Sequence, residues 1–439
     1  MIDIKLIREN PERVKDNIRR KFQDEKIKFV DEILEWDREL KIIRGDSESL
    51  RNRRNVLSEE INKLKKEKKE ITHVLQEVKE IPEKIKKIEE KILHLEDKIT
   101  KNMLQIPNII YENTPSGKDA SENVELRRWG TIKKFDFTPK THIELAESLD
   151  IADWNASAKV SGTGFYYLKN ELALLNQALI RFAIDFMIHK NYEYIEPPLM
   201  LNEKAIFASM DKTAIEQSVY SIKDEDLNLI GTSEQAILAM HTNDTIPESE
   251  LPKKYFSYSM CFRKEIGAHG INEKGLWRTH QFNKVEQFIF CSPEDSEKYY
   301  DELLDNSEKI LQALEVPYRV IEICTGDLAD WKYRSADVEV WRPTTNEYGE
   351  VMSLSNCTEY QARKLNIRCV DKKGNKRVLH TLNDTALATS RIMVAILENN
   401  QNIDGSVTIP KVLVPFMHGR TVIAPKSRVQ TAFTGQEKE

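Results

Sequence analysis

From Ile33 onward, Ile33, Trp36, Leu40, Ile43, Ser47, Leu50, Arg54, Leu57, Ile61 and Leu64 fall at alternating steps of three and four. Eight of these ten are apolar, and that spacing keeps them on one stripe of a helix, a coiled-coil seam. A second seam with the same steps runs through Val78, Ile81, Ile85, Ile88, Ile92, Leu95 and Ile99. The polar segment from Lys65 to His73 joins them, which predicts an antiparallel helical hairpin projecting roughly 50 Å at ~1.5 Å per residue. Gly45 and Pro82 break the local rules. Glycine weakens a helix interior, and proline either kinks the second helix or begins it. Ahead of the arm, residues 1 to 24 predict a short helix, with Asn10-Pro11-Glu12 as cap and first turn.

After the arm the period changes. Ile106-Pro107-Asn108 ends the second helix, and Thr114-Pro115-Ser116-Gly117-Lys118 is turn chemistry. Asp119 to Trp129 leads into a second domain. Ser161 to Leu168, with Gly162 and Gly164, reads as a tight turn feeding a strand, and Glu171 to Lys190 as a long amphipathic helix running into Tyr192 to Met200. Short strands and helices then alternate to a closing helix around Ala386 to Asn399. The fold class is α+β.

A chain of 439 residues, 31% charged and 40% hydrophobic with net charge −6, fits a soluble protein of one large domain plus an appendage, or of two to three domains. No apolar run approaches the ~20 residues a bilayer requires, and Met1-Ile2-Asp3-Ile4-Lys5 is no secretory leader. Cys261, Cys291, Cys324, Cys357 and Cys369 form no metal spacing and read as reduced thiols of a cytoplasmic protein. Charge is segregated: Arg51 to Lys101 carries fifteen Lys/Arg against eleven Asp/Glu, a balance of +4, which leaves −10 elsewhere. Lys63, Lys65, Lys66, Lys68 and Lys69 crowd the tip. Such a run is either a solvated coiled-coil face or a surface that tracks phosphates.

The candidate chemistry centres on Arg263 to Glu286. Tyr258 to Glu265 and Trp277 to Phe290 read as two strands of a long-looped hairpin, with Gly267, Gly270 and Gly275 in the loop. In strands, Arg263 and Glu265 share a face, as do Arg278, His280 and Phe282. Guanidiniums clamp phosphates and a flat ring stacks on a base, so the set suits a nucleoside triphosphate. Ordinary surface charge is the alternative, at even weight on spacing alone.

The stretches Phe262-Arg263-Lys264-Glu265 and Gly275 to Phe282 resemble motif 2 of class II aminoacyl-tRNA synthetases. His280-Gln281-Phe282 with Glu286 resembles the seryl-tRNA synthetase version. The helix ending at Asn191-Tyr192 and running to Pro198 is similar to motif 1, the dimer-forming element, with Asn191 where the family has glycine. Leu382 to Arg391 resembles motif 3, and the N-terminal hairpin resembles the family's tRNA-binding arm. The resemblance implies a class II antiparallel sheet flanked by helices, with an antiparallel coiled-coil hairpin before it. It divides the chain into a tRNA-binding arm at 1–108 (coiled coil about 27–104), a catalytic domain at 109–425 and a polar tail at 426–439.

The same resemblance implies ligation of L-serine to tRNA(Ser), and to tRNA(Sec) where present, through a seryl-adenylate made from ATP, by a homodimer. Arg263, Glu350 and Arg391 would be catalytic. ATP would meet Arg263, Lys264, Glu265, Arg278, Thr279, His280, Gln281, Phe282, Glu350, Val351, Met352, Ser353 and Arg391. Glu265 would accept from the adenine amino group while Phe282 and Arg391 cover the ring, with Arg278 a second γ-phosphate contact. Glu350 and Ser353 would share Mg2+ with the triphosphate. Serine would meet Thr232, Ser233, Glu234, Arg263, Glu286, Asn383 and Thr385. Met352 stands where many relatives carry a small polar residue, and Asp384 where bacterial relatives are often small. On the arm, Arg51, Arg53, Arg54, Lys63, Lys65, Lys66, Lys68 and Lys69 would face tRNA. Two rivals are a paralogue that charges a carrier protein and a catalytically idle scaffold. The basic arm weighs against the first, and the set Arg263, Glu350 and Arg391 against the second.

Overall fold

The computed structural model describes residues 1–266 and 274–425, so Gly267 and Gly270 of the loop and the tail at 426–439 lie outside the described residues. The chain separates into two compact units after Ile110.

The first unit holds α1 (Ile4–Glu9), α2 (Pro11–Arg20), α3 (Ile27–Lys66) and α4 (Thr72–Met103). Two helices stand where the sequence predicts one, because Asn10 both ends α1 and caps α2, its side chain accepting from the Arg13 N–H at 3.2 Å. The 40 residues of α3 make it about 60 Å long, beyond the spacing estimate. Its buried stripe is Val30, Ile33, Leu40, Ser47, Leu57 and Ile61, and that of α4 is Val74, Ile81, Ile85, Leu95, Ile99 and Met103. Arg54, on the predicted seam, is exposed. Arg51 bonds Glu89 at 2.7 Å and Arg44 bonds Glu96 at 2.5 Å, so seven steps out along α3 are seven steps back along α4. Pro82 does not begin the second helix. It lies inside α4, ten residues past its start, where it deprives the Val78 carbonyl of a donor.

The second unit is built on one sheet. Its strands are β1 (Val124–Trp129), β2 (Glu193–Tyr194), β3 (Lys253–Phe262), β4 (Gln281–Cys291), β5 (Tyr318–Glu322), β6 (Arg334–Arg342), β7 (Glu347–Thr358) and β8 (His380–Ala388). They stand in the order β1-β5-β6-β7-β8-β4-β3-β2. Every pairing is antiparallel except β2 with β3 at the edge. Helices α5 (Asn170–His189), α6 (Ser296–Ala313) and α7 (Thr389–Asn399) join the core.

Strand parity divides the two faces of the sheet. On β4, Asn283 bonds Asn176 of α5 and Gln287 bonds the Leu303 carbonyl of α6, while Phe282, Lys284 and Glu286 face a cleft. By length and mean hydropathy (1.3 over 18 residues), α5 could cross a membrane. Here Leu172, Leu175, Leu179, Ala183 and Met187 bury that apolar surface in the core. Asn191, just after α5, has φ +59°, a left-handed turn where glycine is preferred and asparagine tolerated. The closing helix begins later than its pattern suggests. Leu387 and Ala388 still pair with Val285 and Lys284 of β4, and α7 starts at Thr389.

Candidate active site

The cleft has a volume of about 470 Å³ and takes side chains from β4, β7, β8, α7 and the end of the β3–β4 hairpin. Arg263, Glu265, Arg278, Thr279, Phe282, Thr232, Glu234, Glu286, Glu350, Val351, Ser353, Asn383, Thr385 and Arg391 all line it. These include two arginines separated by 128 positions in the chain, which the strand order brings to one wall.

The hairpin is shorter than its sequence suggests. Ladder pairing stops at Phe262↔Gln281, and the Arg263 N–H still reaches the His280 carbonyl at 2.9 Å. Glu265 has φ +52°, so strand alternation does not place it beside Arg263. Instead its carboxylate accepts from Arg278 at 2.6 Å. Five predicted contacts do not line the cleft: Lys264, His280, Gln281, Met352 and Ser233. His280 has its Nδ1 2.9 Å from the Arg263 carbonyl and 3.1 Å from the Tyr220 hydroxyl, with its ring against Phe165, so it pins the hairpin's end. The Gln281 carbonyl accepts from the Thr279 hydroxyl at 3.0 Å. The Lys264 N–H bonds the Ser218 carbonyl at 2.9 Å.

Alternation along β7 puts Val351, Ser353 and Ser355 on the cleft side and Met352 with Leu354 on the core side. A β-bulge takes Glu350 out of that parity: Met352 pairs with Val338 while Glu350 pairs with Glu339, so two residues of β7 span one step of β6. Glu350, Val351 and Ser353 thereby reach the cleft, and Met352 enters the core at 1% exposure. Asp384 lies on β8. It sits in mid-strand on the helix-facing side, accepting from Ser307 at 2.5 Å and Gln287 at 3.2 Å. Burial, and after it Glu286, hold its carboxyl far above the usual range.

The cleft is electrically divided. At one end the Arg263 Nε donates to the Gly231 carbonyl at 3.1 Å, with its guanidinium 5.3 Å from the Phe282 ring centre. Arg391 donates to the Trp277 carbonyl at 3.1 Å and the Glu350 carbonyl at 2.6 Å. Burial would raise the Glu350 carboxyl, but Arg391, Arg263 and Lys332 outweigh it and hold the group below its ordinary value. At the other end Glu234 and Glu286 converge. Burial first, and Glu286 second, push the Glu234 carboxyl up to about 7. Glu286 is paired with Lys284, and both side chains are under a tenth exposed.

Glu350 and Ser353 are hard oxygen donors. No three of His, Cys, Asp and Glu gather into a metal-holding group among the described residues. A carboxylate and a hydroxyl together suit an ion that takes its remaining ligands from phosphate and water, as magnesium does. The Lys332 ammonium lies 3.4 Å from the Ser353 hydroxyl.

Several lining or supporting residues escaped sequence reasoning. Lys284 had a signal, since it falls between Phe282 and Glu286 at the strand period. Ser355 had the same signal, two residues past Ser353, whereas Trp331 and Lys332 had none. Nor did Gln361, which donates to Glu234 at 2.7 Å, or His142. The His142 Nε2 accepts from the Leu276 N–H at 3.2 Å while its Nδ1 meets buried Glu398 at 2.9 Å, so Nδ1 carries the proton. A Cβ on Gly275 (φ +122°) would lie 2.4 Å from that ring, so glycine is required for the approach. Leu276 leads directly into Trp277, whose carbonyl holds Arg391.

Residues 1–110 match the family profile of the seryl-tRNA synthetase N-terminal domain, and residues 218–400 match the class II tRNA synthetase core domain (G, H, P, S and T). The chain is 49% identical over 320 residues to the serine–tRNA ligase of Methanospirillum hungatei, covering 72% of this chain and 75% of that one. Identity to the serine–tRNA ligase of Rubrobacter xylanophilus is 45% over 331 residues, covering 75% and 78%. Among solved structures, the seryl-tRNA synthetase of Pyrococcus horikoshii complexed with ATP superposes with TM-score 0.93 at 41% identity, covering 97% of this chain and all of that one. The cytoplasmic serine–tRNA ligase of Naegleria fowleri with AMP gives 0.88 at 32%, covering 97% and 99%.

Proposed function

This chain belongs to the seryl-tRNA synthetase family, and on that premise we propose how its own residues divide the reaction. The activity is ATP-dependent ligation of serine to tRNA(Ser). The serine carboxylate attacks the α-phosphorus, the bond to pyrophosphate breaks, and the seryl group then passes to a tRNA 3′-terminal ribose hydroxyl with AMP leaving.

Arg263 stands between the two oxyanions that must meet, the serine carboxylate and the α-phosphate, and lowers their repulsion. Phe282 and Arg391 cover the two faces of adenine, and Arg391 reaches the γ-phosphate. Arg278 and Glu265 separate when ATP enters, one turning to phosphate and the other to the adenine amino group. Magnesium, bound through Glu350 and Ser353, would neutralise triphosphate charge. Glu234 and Glu286 attract the serine ammonium, and Thr385 reads the side-chain hydroxyl. Asn383, which donates to Glu234 at 3.0 Å, supports that carboxylate more than it contacts serine.

The arm carries the tRNA. Arg54, Lys63, Lys65, Lys66 and Lys68 make no ion pair among the described residues, whereas Arg51, Arg53 and Lys69 each hold a carboxylate. The first five are the readier phosphate contacts. A second copy covers Ile188, within the segment resembling motif 1, and Leu199 and Met200 just past it, all three exposed apolar residues. The chain acts in the cytoplasm, and serylates tRNA(Sec) where that tRNA is present.

What carries the reading is that one cleft is lined by Arg263, Arg278 and Arg391 together with Glu286 and Glu234, whose carboxyl burial and Glu286 push up to about 7. ATP–pyrophosphate exchange run with each of the twenty amino acids tests it. Serine should dominate, and alanine should be rejected strongly because the groups that bond the hydroxyl would be left unpaired. Exchange with another amino acid in preference to serine would overturn the assignment.

A further inference from the structure

Glu234 is reached by a buried amide that belongs to neither the Thr232–Glu234 segment nor the motif-like strands. Gln361 is 0% exposed. Its Nε2 donates to the Glu234 Oε1 at 2.7 Å and to the Ser209 carbonyl at 3.0 Å, and its Oε1 accepts from the Thr381 hydroxyl at 2.7 Å. Both amide ends are thus committed. Flipping the amide would set an oxygen against two acceptors, so the orientation is fixed by its partners.

We propose that Gln361 is a positioning residue for amino-acid binding, holding the Glu234 carboxylate ionised and aimed at the serine ammonium. The inference rests on the reading of Glu234 as the ammonium's partner. Gln361 and Asn383 both donate to Oε1, which leaves Oε2 as the oxygen for the ligand. The charged and titratable groups facing Glu234 are Glu286 and Lys284 from β4, Lys332 ahead of β6, and Cys357 of β7. Two of these are cations that already have work nearby, Lys284 on Glu286 and Lys332 on Ser335 and Ser353.

A neutral amide does what a lysine at this position could not. It favours the ionised carboxylate by hydrogen bonding without adding a charge that would compete with the incoming ammonium. An apolar residue there would leave Asn383 as the carboxylate's hydrogen-bond donor. Because Glu234 titrates near neutrality, the donors set how much of it is charged at working pH.

The test is serine-dependent ATP–pyrophosphate exchange by the full chain, with KM for serine and for ATP measured from pH 6 to 9. In the native protein, serine KM should fall as pH rises through about 7 and then level. In Gln361→Leu, serine KM at pH 7 should rise roughly 10- to 100-fold, the size of a lost hydrogen bond to a charged group. ATP KM should stay within about twofold, and the fall in serine KM should move to higher pH by about a unit. Thr381→Val, which removes the anchor on the Gln361 carbonyl, should shift serine KM the same way by less.

Glu234→Gln separates the two levels of the argument. If it loses serine affinity while Gln361→Leu keeps the native KM and pH profile, the positioning role is wrong and Glu234 stands. Native serine affinity in Glu234→Gln overturns the reading of Glu234 itself, and the inference with it. An equal rise in both KM values with an unmoved pH profile in Gln361→Leu would mark a merely structural residue, and that too would overturn the proposal.

Discussion

Arg51 and Glu89 on the arm are paired at 2.7 Å with side chains 56% and 48% exposed, whereas Lys284 and Glu286 in the cleft are paired at 7% and 2%. The chemistry is the same and the consequences differ. On the arm, water screens each pair, and such pairs contribute ~0–1 kcal/mol apiece. The fold there rests on Leu57, Ile61, Val74, Ile81 and Ile85, and the charges are available to a partner. In the cleft, desolvation makes buried charge depend on its neighbours: Glu286 is matched by Lys284, while burial and Glu286 push the Glu234 carboxyl up to about 7. Charge is exchangeable on the arm and positional in the core. Each variant below strains that contrast.

The largest effect belongs to Arg263→Ala. Losing a preorganised donor to developing phosphoryl charge costs ~10²–10³ in rate, so serine-dependent exchange should fall by that much with the circular dichroism spectrum unchanged. Near-native exchange would remove Arg263 from the chemistry. Next comes the clamp at Leu276. His142→Leu leaves a buried N–H without its acceptor, a loss of ~1–3 kcal/mol, and should lower kcat/KM for ATP about tenfold or more. Because the Gln oxygen can take the place of Nε2, His142→Gln should recover part of this, and equal defects in the two variants would show that the bond to Leu276 is not what matters.

Replacing Lys65, Lys66, Lys68 and Lys69 by Gln tests exchangeability on the arm. Each lost phosphate contact should flatten the log–log salt dependence of tRNA binding by roughly 0.7–0.9, with pyrophosphate exchange untouched. An unchanged slope would make the run a solvated face and shift recognition to Arg54 or to arm shape. The smallest effect is a gain. Gly45 lies in mid-helix with no atom within 4 Å of an added Cβ, so Gly45→Ala should stabilise the arm by ~0.5–1 kcal/mol, read as a higher denaturant midpoint. A loss of stability would mean that Gly45 serves a bend or a contact.

The same contrast explains what was legible in the sequence. The arm's seam repeats a short-range signal many times, so exposure of Arg54 or the continuation of α4 through Pro82 does not disturb it. In the cleft, strand parity carries Phe282 and Glu286, and would have carried Lys284. It fails at Glu265, where the backbone turns left-handed, and at Glu350, which a bulge brings to the same side as Val351 and Ser353. Neither leaves a local trace. Gln361 and His142 were beyond reach for another reason: their partners lie 127 and 134 residues away in the chain, and only the sheet's order brings them together. The motif resemblances located the charged ends of the cleft, but not the neutral groups that hold those charges in place.

The central claim is that amino-acid activation belongs to the second unit and tRNA recognition to the arm. The Arg44–Glu96 and Arg51–Glu89 pairs fix which residues of α3 and α4 stand opposite, so deleting residues 48–91 and joining Ser47 to Ile92 by a short linker removes the distal arm with all eight candidate cations. The direct measurement compares the two half-reactions in that protein. The account predicts serine-dependent pyrophosphate exchange close to native and tRNA(Ser) charging reduced to a small residue. Native charging by the trimmed chain, or loss of exchange along with charging in a protein that remains folded, would contradict it.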